Sequence, residues 1–137
     1  MGTALPEARR FGKARAAQSG ARQEDYVEMI ADLLAAGGEA RTVELARRFG
    51  VSHAAVVKAV AQLQRAGLAV CRPYRGVVLT PDGAALAGRV RARHRVVLDL
   101  LRALGVPEDA AEQDAEGIEH HVSDTTLDAF ARFLRGR

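Results

Sequence analysis

Between Ala40 and Thr80 the chain reads as two short helices divided by one glycine, then two short strands around a tight turn. Few arrangements satisfy that order. Thr42 is expected to cap a helix over Val43–Phe49, with Glu44 in its first turn. Gly50 supplies the turn and Val51 is expected to pack inward. Ser52 caps a second helix that continues to about Ala66, where Gly67 stops it. Leu45, Val51, Val56, Val60 and Leu63 have the spacing that a three-helix core requires. Ala69-Val70-Cys71 and Val77-Val78-Leu79 read as strands, with Pro73-Tyr74-Arg75-Gly76 at the tip between them. A helix-turn-helix followed at once by a basic hairpin is a winged helix, a far more specific pattern than either part alone.

The flanking segments are helical by pattern. Tyr26, Met29, Ile30, Leu33 and Leu34 form an apolar stripe on a helix from about Gln23 to Ala36, ended by Gly37-Gly38. Thr80-Pro81-Asp82 starts a helix that reaches about Leu104, with Leu86, Val90, Val97, Leu98 and Leu101 as its buried stripe. Gly105-Val106-Pro107 breaks it. A helix from Pro107 to about His120 follows, and Ser123 caps a last one carrying Leu127, Phe130, Phe133 and Leu134 on one side. The expected fold is mostly α. Residues 1–22 are expected to be a flexible basic tail, 23–80 a winged-helix domain and 81–137 a helical domain.

Charge is divided unevenly along this order. Residues 1–102 hold 17 Lys and Arg against 9 Asp and Glu, whereas residues 103–131 hold 8 acids and no Lys or Arg. A basic front half suits nucleic acid. An acidic rear half repels phosphate unless it faces elsewhere or a cation neutralises it. The single Cys71 excludes an internal disulfide and a four-cysteine zinc site, and fits a reducing cytosol. No apolar run approaches the ~20 residues of a membrane span, and no secretory signal is evident.

The acidic half contains Asp114-Ala115-Glu116-Gly117-Ile118-Glu119-His120-His121. On a helix, Glu116, Glu119 and His120 stand at i, i+3 and i+4 on one face. Like charges so spaced destabilise an isolated helix unless something neutralises them. Candidate metal ligands are therefore Glu116, Glu119 and His120, with His94, Asp25 and Glu28 elsewhere in the chain. Carboxylates with a minority of imidazoles suit Mn²⁺ or Fe²⁺ better than thiolate-seeking ions. The structural alternatives stand beside this. Asp25 and Glu28 also read as a solvated helix face, and His94 among Arg89, Arg91, Arg93 and Arg95 as a surface residue. His121 points about 100° away from His120 and is left outside the ligand set.

Asp25-x-x-Glu28, the helix-turn-helix with its Tyr74-Arg75-Gly76-Val77 wing, Arg93-His94-Arg95, the Asp114–His121 run and Ser123-Asp124-Thr125-Thr126-Leu127-Asp128 occur in one order. That order, over about Glu24 to Phe130, resembles the manganese-responsive transcriptional regulators of the diphtheria-toxin-repressor family. The resemblance implies an N-terminal winged helix joined to a C-terminal helical dimerisation domain, and a homodimer on a palindromic operator in double-stranded DNA. It implies one ion on Asp25, Glu116, Glu119 and His120, and a second on Glu28 and His94, with Glu116 and Glu119 shared. Iron-responsive relatives tend to carry Cys at the position of Glu116 and Met at that of Asp25, so oxygen at both favours Mn(II), with Fe(II) overlapping in preference. The resemblance further implies repression of manganese-uptake genes in the cytoplasm, without enzymatic activity, and a chain without the extra SH3-like domain of the longer iron regulators. Thr42, Ser52, His53, Ala55, Lys58, Arg72 and Arg75 form the candidate DNA-contacting set. Two other function classes share these residues: a winged-helix regulator with a non-metal effector or none, and a small metallohydrolase.

Overall fold

The computed structural model describes residues 22–137. It contains helix α1 over residues 22–35, followed by α2 (Thr42–Phe49), α3 (His53–Arg65), β1 (Ala69–Arg72), β2 (Gly76–Leu79), α4 (Pro81–Ala103), α5 (Glu108–Ile118) and α6 (Asp124–Arg135). The fold is mostly α. The expected basic tail lies outside the described residues, except for Arg22, which is already helical. The chain divides into two compact units, Gln23–Arg91 and Ala92–Arg137, and α4 contributes to each.

In the first unit, Tyr26, Val27, Ile30 and Leu33 of α1 are buried with Leu45 of α2, Val56, Ala59, Val60 and Leu63 of α3, Ala69 and Val77 of the hairpin, and Ala87 of α4. Full burial of each large aliphatic side chain contributes about 1.5–3 kcal/mol. The α1 stripe is therefore centred on Val27, which is fully buried, while Met29 and Leu34 pack only at its margin. Phe49 closes the end of α2 against Tyr26, with ring centroids 4.5 Å apart.

Two turn expectations change. The cap of α2 is Arg41 and not Thr42, and no side chain accepts a capping hydrogen bond there. Val51 does not pack inward: it is 42% exposed. Gly50 at φ 65° ends α2 in the left-handed conformation, and Val51 N–H donates back to the Ala46 carbonyl at 3.1 Å. That bond satisfies an end carbonyl of α2 while Val51 stays outside the core. Ser52 behaves as expected, its Oγ accepting from Ala55 N–H at 3.1 Å.

β1 and β2 are antiparallel, with Ala69 opposite Leu79 and Arg72 opposite Gly76. Ala40 adds an antiparallel bridge to Val77, whose N–H donates to the Ala40 carbonyl at 2.8 Å. Gly76 makes this possible. It sits at φ +82°, and a Cβ there would lie 2.6 Å from the Ala40 oxygen. Thr80 then ties the wing to the next helix: its hydroxyl donates to the Gly67 carbonyl at 2.7 Å and accepts from Gly83 N–H at 3.1 Å.

In the second unit, Val97 and Leu98 of α4 are buried with Ala111 and Ala115 of α5 and Leu127 of α6. Phe130 packs against this cluster, whereas Phe133 is left exposed. Ser123 Oγ accepts from Thr126 N–H and caps α6.

Candidate functional site

Two rows of side chains run along α5 at steps of four. Ala111, Ala115 and Glu119 are all fully buried. Glu108, Glu112 and Glu116 form the neighbouring row, each side chain roughly half exposed. The small alanines fill only the first part of the buried row, so its third position places a carboxyl where an apolar side chain would normally sit. Burying an ionised carboxylate is costly unless it is paired or bound to a metal.

His94 of α4 meets both rows. Its Nδ1 lies 2.8 Å from Glu119 Oε2 and 3.6 Å from Glu116 Oε1. Its Nε2 lies 3.6 Å from Glu112 Oε2. His94 is thus mostly enclosed and not the surface residue that its flanking arginines suggest. One donor atom each from His94, Glu116 and Glu119 falls within 4.8 Å of the other two. Two carboxylates and an imidazole so placed fit a divalent ion of the Mn²⁺ or Fe²⁺ type, and the buried Glu119 is the strongest sign of it.

The helix that carries these acids stops earlier than expected, at Ile118 rather than near His120. Glu119 keeps a helical bond, N–H to the Ala115 carbonyl at 3.1 Å. His120 and His121 then bond three residues back, to Gly117 and Ile118. The tighter turn takes His120 out of strict i+4 geometry, yet its Nε2 remains 3.4 Å from Glu119 Oε1 with the side chain almost fully enclosed. His121 is exposed. Asp25 and Glu28 lie on α1 in the other unit and are partly buried.

Sequence reasoning missed Glu112. The signal was present, because Glu108, Glu112 and Glu116 repeat every four residues, but only the fold shows that His94 and Arg102 face that row. Arg102 Nη2 meets Glu108 Oε1 at 2.5 Å and Glu112 Oε1 at 3.8 Å. The Arg102 guanidinium holds the Glu108 carboxyl below the usual carboxylate range.

The candidate DNA-contacting residues share the first unit. Ser52, His53, Ala55 and Lys58 are exposed on the start of α3. Thr42 Oγ1 and His53 Nε2 are 2.9 Å apart, which couples the two helices of the turn. In the wing, Arg72, Tyr74 and Arg75 are exposed. Tyr74 adopts φ 66°, and its carbonyl accepts from Arg41 Nη2 at 2.6 Å. Basic and small polar groups at a helix start and a hairpin tip are what phosphate and base-edge contact require.

Residues 19–77 match the model of the iron dependent repressor N-terminal DNA binding domain. Residues 80–136 match that of the iron dependent repressor metal binding and dimerisation domain. The chain belongs to the iron dependent repressor family. As a member it is a transcriptional regulator with a DNA-binding part and a metal-binding, dimerising part, and not an enzyme. Its family relatives include the transcriptional regulator MntR of Salmonella typhimurium, 49% identical over 112 residues that cover 82% of this chain and 71% of the relative. The HTH-type transcriptional regulator MntR of Lysinibacillus sphaericus is 40% identical, covering 82% of this chain and 81% of the relative. Among solved structures, the manganese regulator SloR superposes with a TM-score of 0.74 at 29% identity, covering 82% of this chain and 53% of SloR. A manganese-dependent transcriptional repressor in complex with manganese gives a TM-score of 0.66 at 29% identity, covering 82% and 52%. The chain therefore spans about half the length of these two structural relatives. Among the described residues no helix is long and apolar enough to cross a membrane.

Proposed function

We propose that this family member is a Mn(II)-dependent repressor of manganese-homeostasis genes that acts in the cytoplasm as a homodimer on a palindromic operator. The observation that carries the metal reading is the convergence of His94, Glu116 and the fully buried Glu119. The 49% identity to an MntR regulator supports manganese over iron, as does oxygen rather than sulfur at Asp25 and Glu116. Residues 23–80 serve as the DNA-binding domain and residues 81–137 as the dimerisation and metal-binding domain.

The proposed ligands are Asp25, Glu28, His94, Glu116, Glu119 and His120, holding two ions per subunit with Glu116 and Glu119 shared. The bound cations supply positive charge that offsets the crowded carboxylates. Asp25 and Glu28 belong to the winged unit and the other four residues to the helical unit. Ligation by both sets makes metal affinity and the DNA-competent arrangement mutually dependent. Without a cation, the crowded carboxylates repel one another. A coupling of about 1–3 kcal/mol changes operator affinity roughly 5- to 150-fold.

Lys58, Arg72 and Arg75 are assigned to phosphate contact, which makes affinity fall with salt. Ser52, His53 and Ala55, with Thr42 behind them, are assigned to the major groove, with the half-sites of a dimer ~34 Å apart per helical turn. The Ser52 hydroxyl already caps α3, so its contribution there includes fixing the helix start.

The deciding experiment is binding to the DNA upstream of the protein's own coding region, titrated with Mn²⁺, Fe²⁺ and Zn²⁺ at fixed pH. Mn²⁺ should promote specific binding at the lowest free concentration. Specific binding that ignores all three metals would refute the metal reading and favour a regulator with another effector. A preference for Fe²⁺ would move the chain to the iron-responsive branch.

A further inference from the structure

We propose that Glu112 is a positioning residue of the metal centre: it holds the Nε2 edge of His94, and Arg102 holds Glu112, so that His94 Nδ1 is presented to the ion shared with Glu116 and Glu119. This inference rests on His94 being a ligand. It adds a residue that the ligand set does not contain.

The two oxygens of Glu112 face different partners. Oε2 is 3.6 Å from His94 Nε2 and Oε1 is 3.8 Å from Arg102 Nη2, so each oxygen stands beside a different partner, just beyond hydrogen-bond distance. Arg102 is itself anchored, by Glu108 through two hydrogen bonds of 2.5 and 3.0 Å and by Asp99 at 3.5 Å. His94 and Arg102 are eight residues apart on α4, and Glu112 occupies the rung between them on α5. All of these groups lie within the unit Ala92–Arg137.

A neutral imidazole carries one ring proton. Nδ1 lies within hydrogen-bond reach of Glu119 Oε2. An ion on Nδ1 leaves that proton to Nε2, which then needs an acceptor. Glu112 is the carboxylate on that edge. The present 3.6 Å exceeds the N–H···O range by about 0.4 Å, which a small rotation about the Glu112 side chain would close. Carboxylate partners of ligating histidines fix ring orientation and raise ligand basicity, and their loss commonly weakens metal binding about 10- to 100-fold. Glu112 is half exposed and outside the apolar core, so the fold does not need it.

The test is Mn²⁺ binding to the full chain by calorimetry for the native sequence, Glu112→Ala, Glu112→Gln, His94→Ala and the Glu112→Ala/His94→Ala pair. Glu112→Ala should bind about 10- to 100-fold more weakly, and Glu112→Gln, which keeps an acceptor, should recover part of that loss. In the His94→Ala background Glu112→Ala should have less than about a twofold further effect, because the two residues act through one contact. The Co²⁺-loaded native protein should show a shifted, exchangeable His94 Nε2–H proton resonance that exchanges faster in Glu112→Ala. Native-like affinity in Glu112→Ala, with binding lost in His94→Ala, overturns the inference and leaves the ligand reading intact. An equal loss from Glu112→Ala in both backgrounds makes Glu112 a direct ligand and also overturns it. Native-like binding in His94→Ala removes the ligand reading and this inference with it.

Discussion

Replacing Glu119 by glutamine separates the metal centre from the fold. The native side chain is fully buried, and its Oε2 lies 2.8 Å from His94 Nδ1, within hydrogen-bond distance. The substituted amide has nearly the same shape and keeps an acceptor. A charge-assisted bond of about 1.5–3 kcal/mol becomes a neutral one of about 0.5–1.5 kcal/mol. Relief from burying a charge offsets much of that difference. The metal-free variant should therefore lie within about 1 kcal/mol of the native protein. The response to metal should change far more. Ligand at a hundredfold excess over its Kd stabilises a protein by about 2.7 kcal/mol, which at roughly 4 °C per kcal/mol is a rise in Tm of about 10 °C. Glu119→Gln should lose most of that rise and, in a gel shift, manganese-stimulated operator binding. Thermal unfolding with and without Mn²⁺ reads both quantities on one sample. A metal-free Tm near native together with a full Mn²⁺-induced rise would refute the role of Glu119. Glu119→Ala is the harsher variant, since it also opens a cavity beneath His94 and His120.

Three further outcomes are expected. Gly76→Ala should destabilise the winged unit by more than ~1 kcal/mol, where the same change at a compatible φ and ψ stabilises, because its Cβ would sit 2.6 Å from the Ala40 oxygen at φ +82°; urea denaturation measures this, and a neutral effect would mean the Ala40–Val77 bridge is dispensable. Arg75→Ala should weaken operator binding and reduce the salt slope by about one, measured as log K against log salt, and an unchanged slope would remove Arg75 from the phosphate contacts. Glu44 should titrate near 2 and not near 4.5 in a carboxyl-detected NMR experiment, because hydrogen bonds from Arg47 and Arg48 favour its ionised form. The folded value is the lower one, so this contribution is present above about pH 4.5 and is lost as the pH falls towards 2. Arg47→Ala with Arg48→Ala should return the midpoint towards 4.5, and a native midpoint near 4.5 would show the pairs absent in solution.

The winged helix was legible in residue order because its determinants are local. Ser52 caps α3 and Gly50 and Gly67 take left-handed conformations whatever lies elsewhere. Leu45, Val56, Val60 and Leu63 follow a helical period that only one face can satisfy. The candidate metal residues were also legible as types, since Glu116, Glu119 and His120 crowd charge into one short run. What residue order could not decide depends on neighbours distant in the chain. Val51 and Val27 have the same side chain, but one is exposed and the other buried, because Leu45, Val56 and Leu63 from later helices form one core with the second and leave the first outside it. Glu119 and Glu112 are the same residue type, seven positions apart along one segment. Helix α4 passing over α5 makes Glu119 a buried partner of His94 Nδ1 and leaves Glu112 half exposed beside Nε2. Spacing along a helix tells which carboxylates share an edge, and only packing tells which of them lose water.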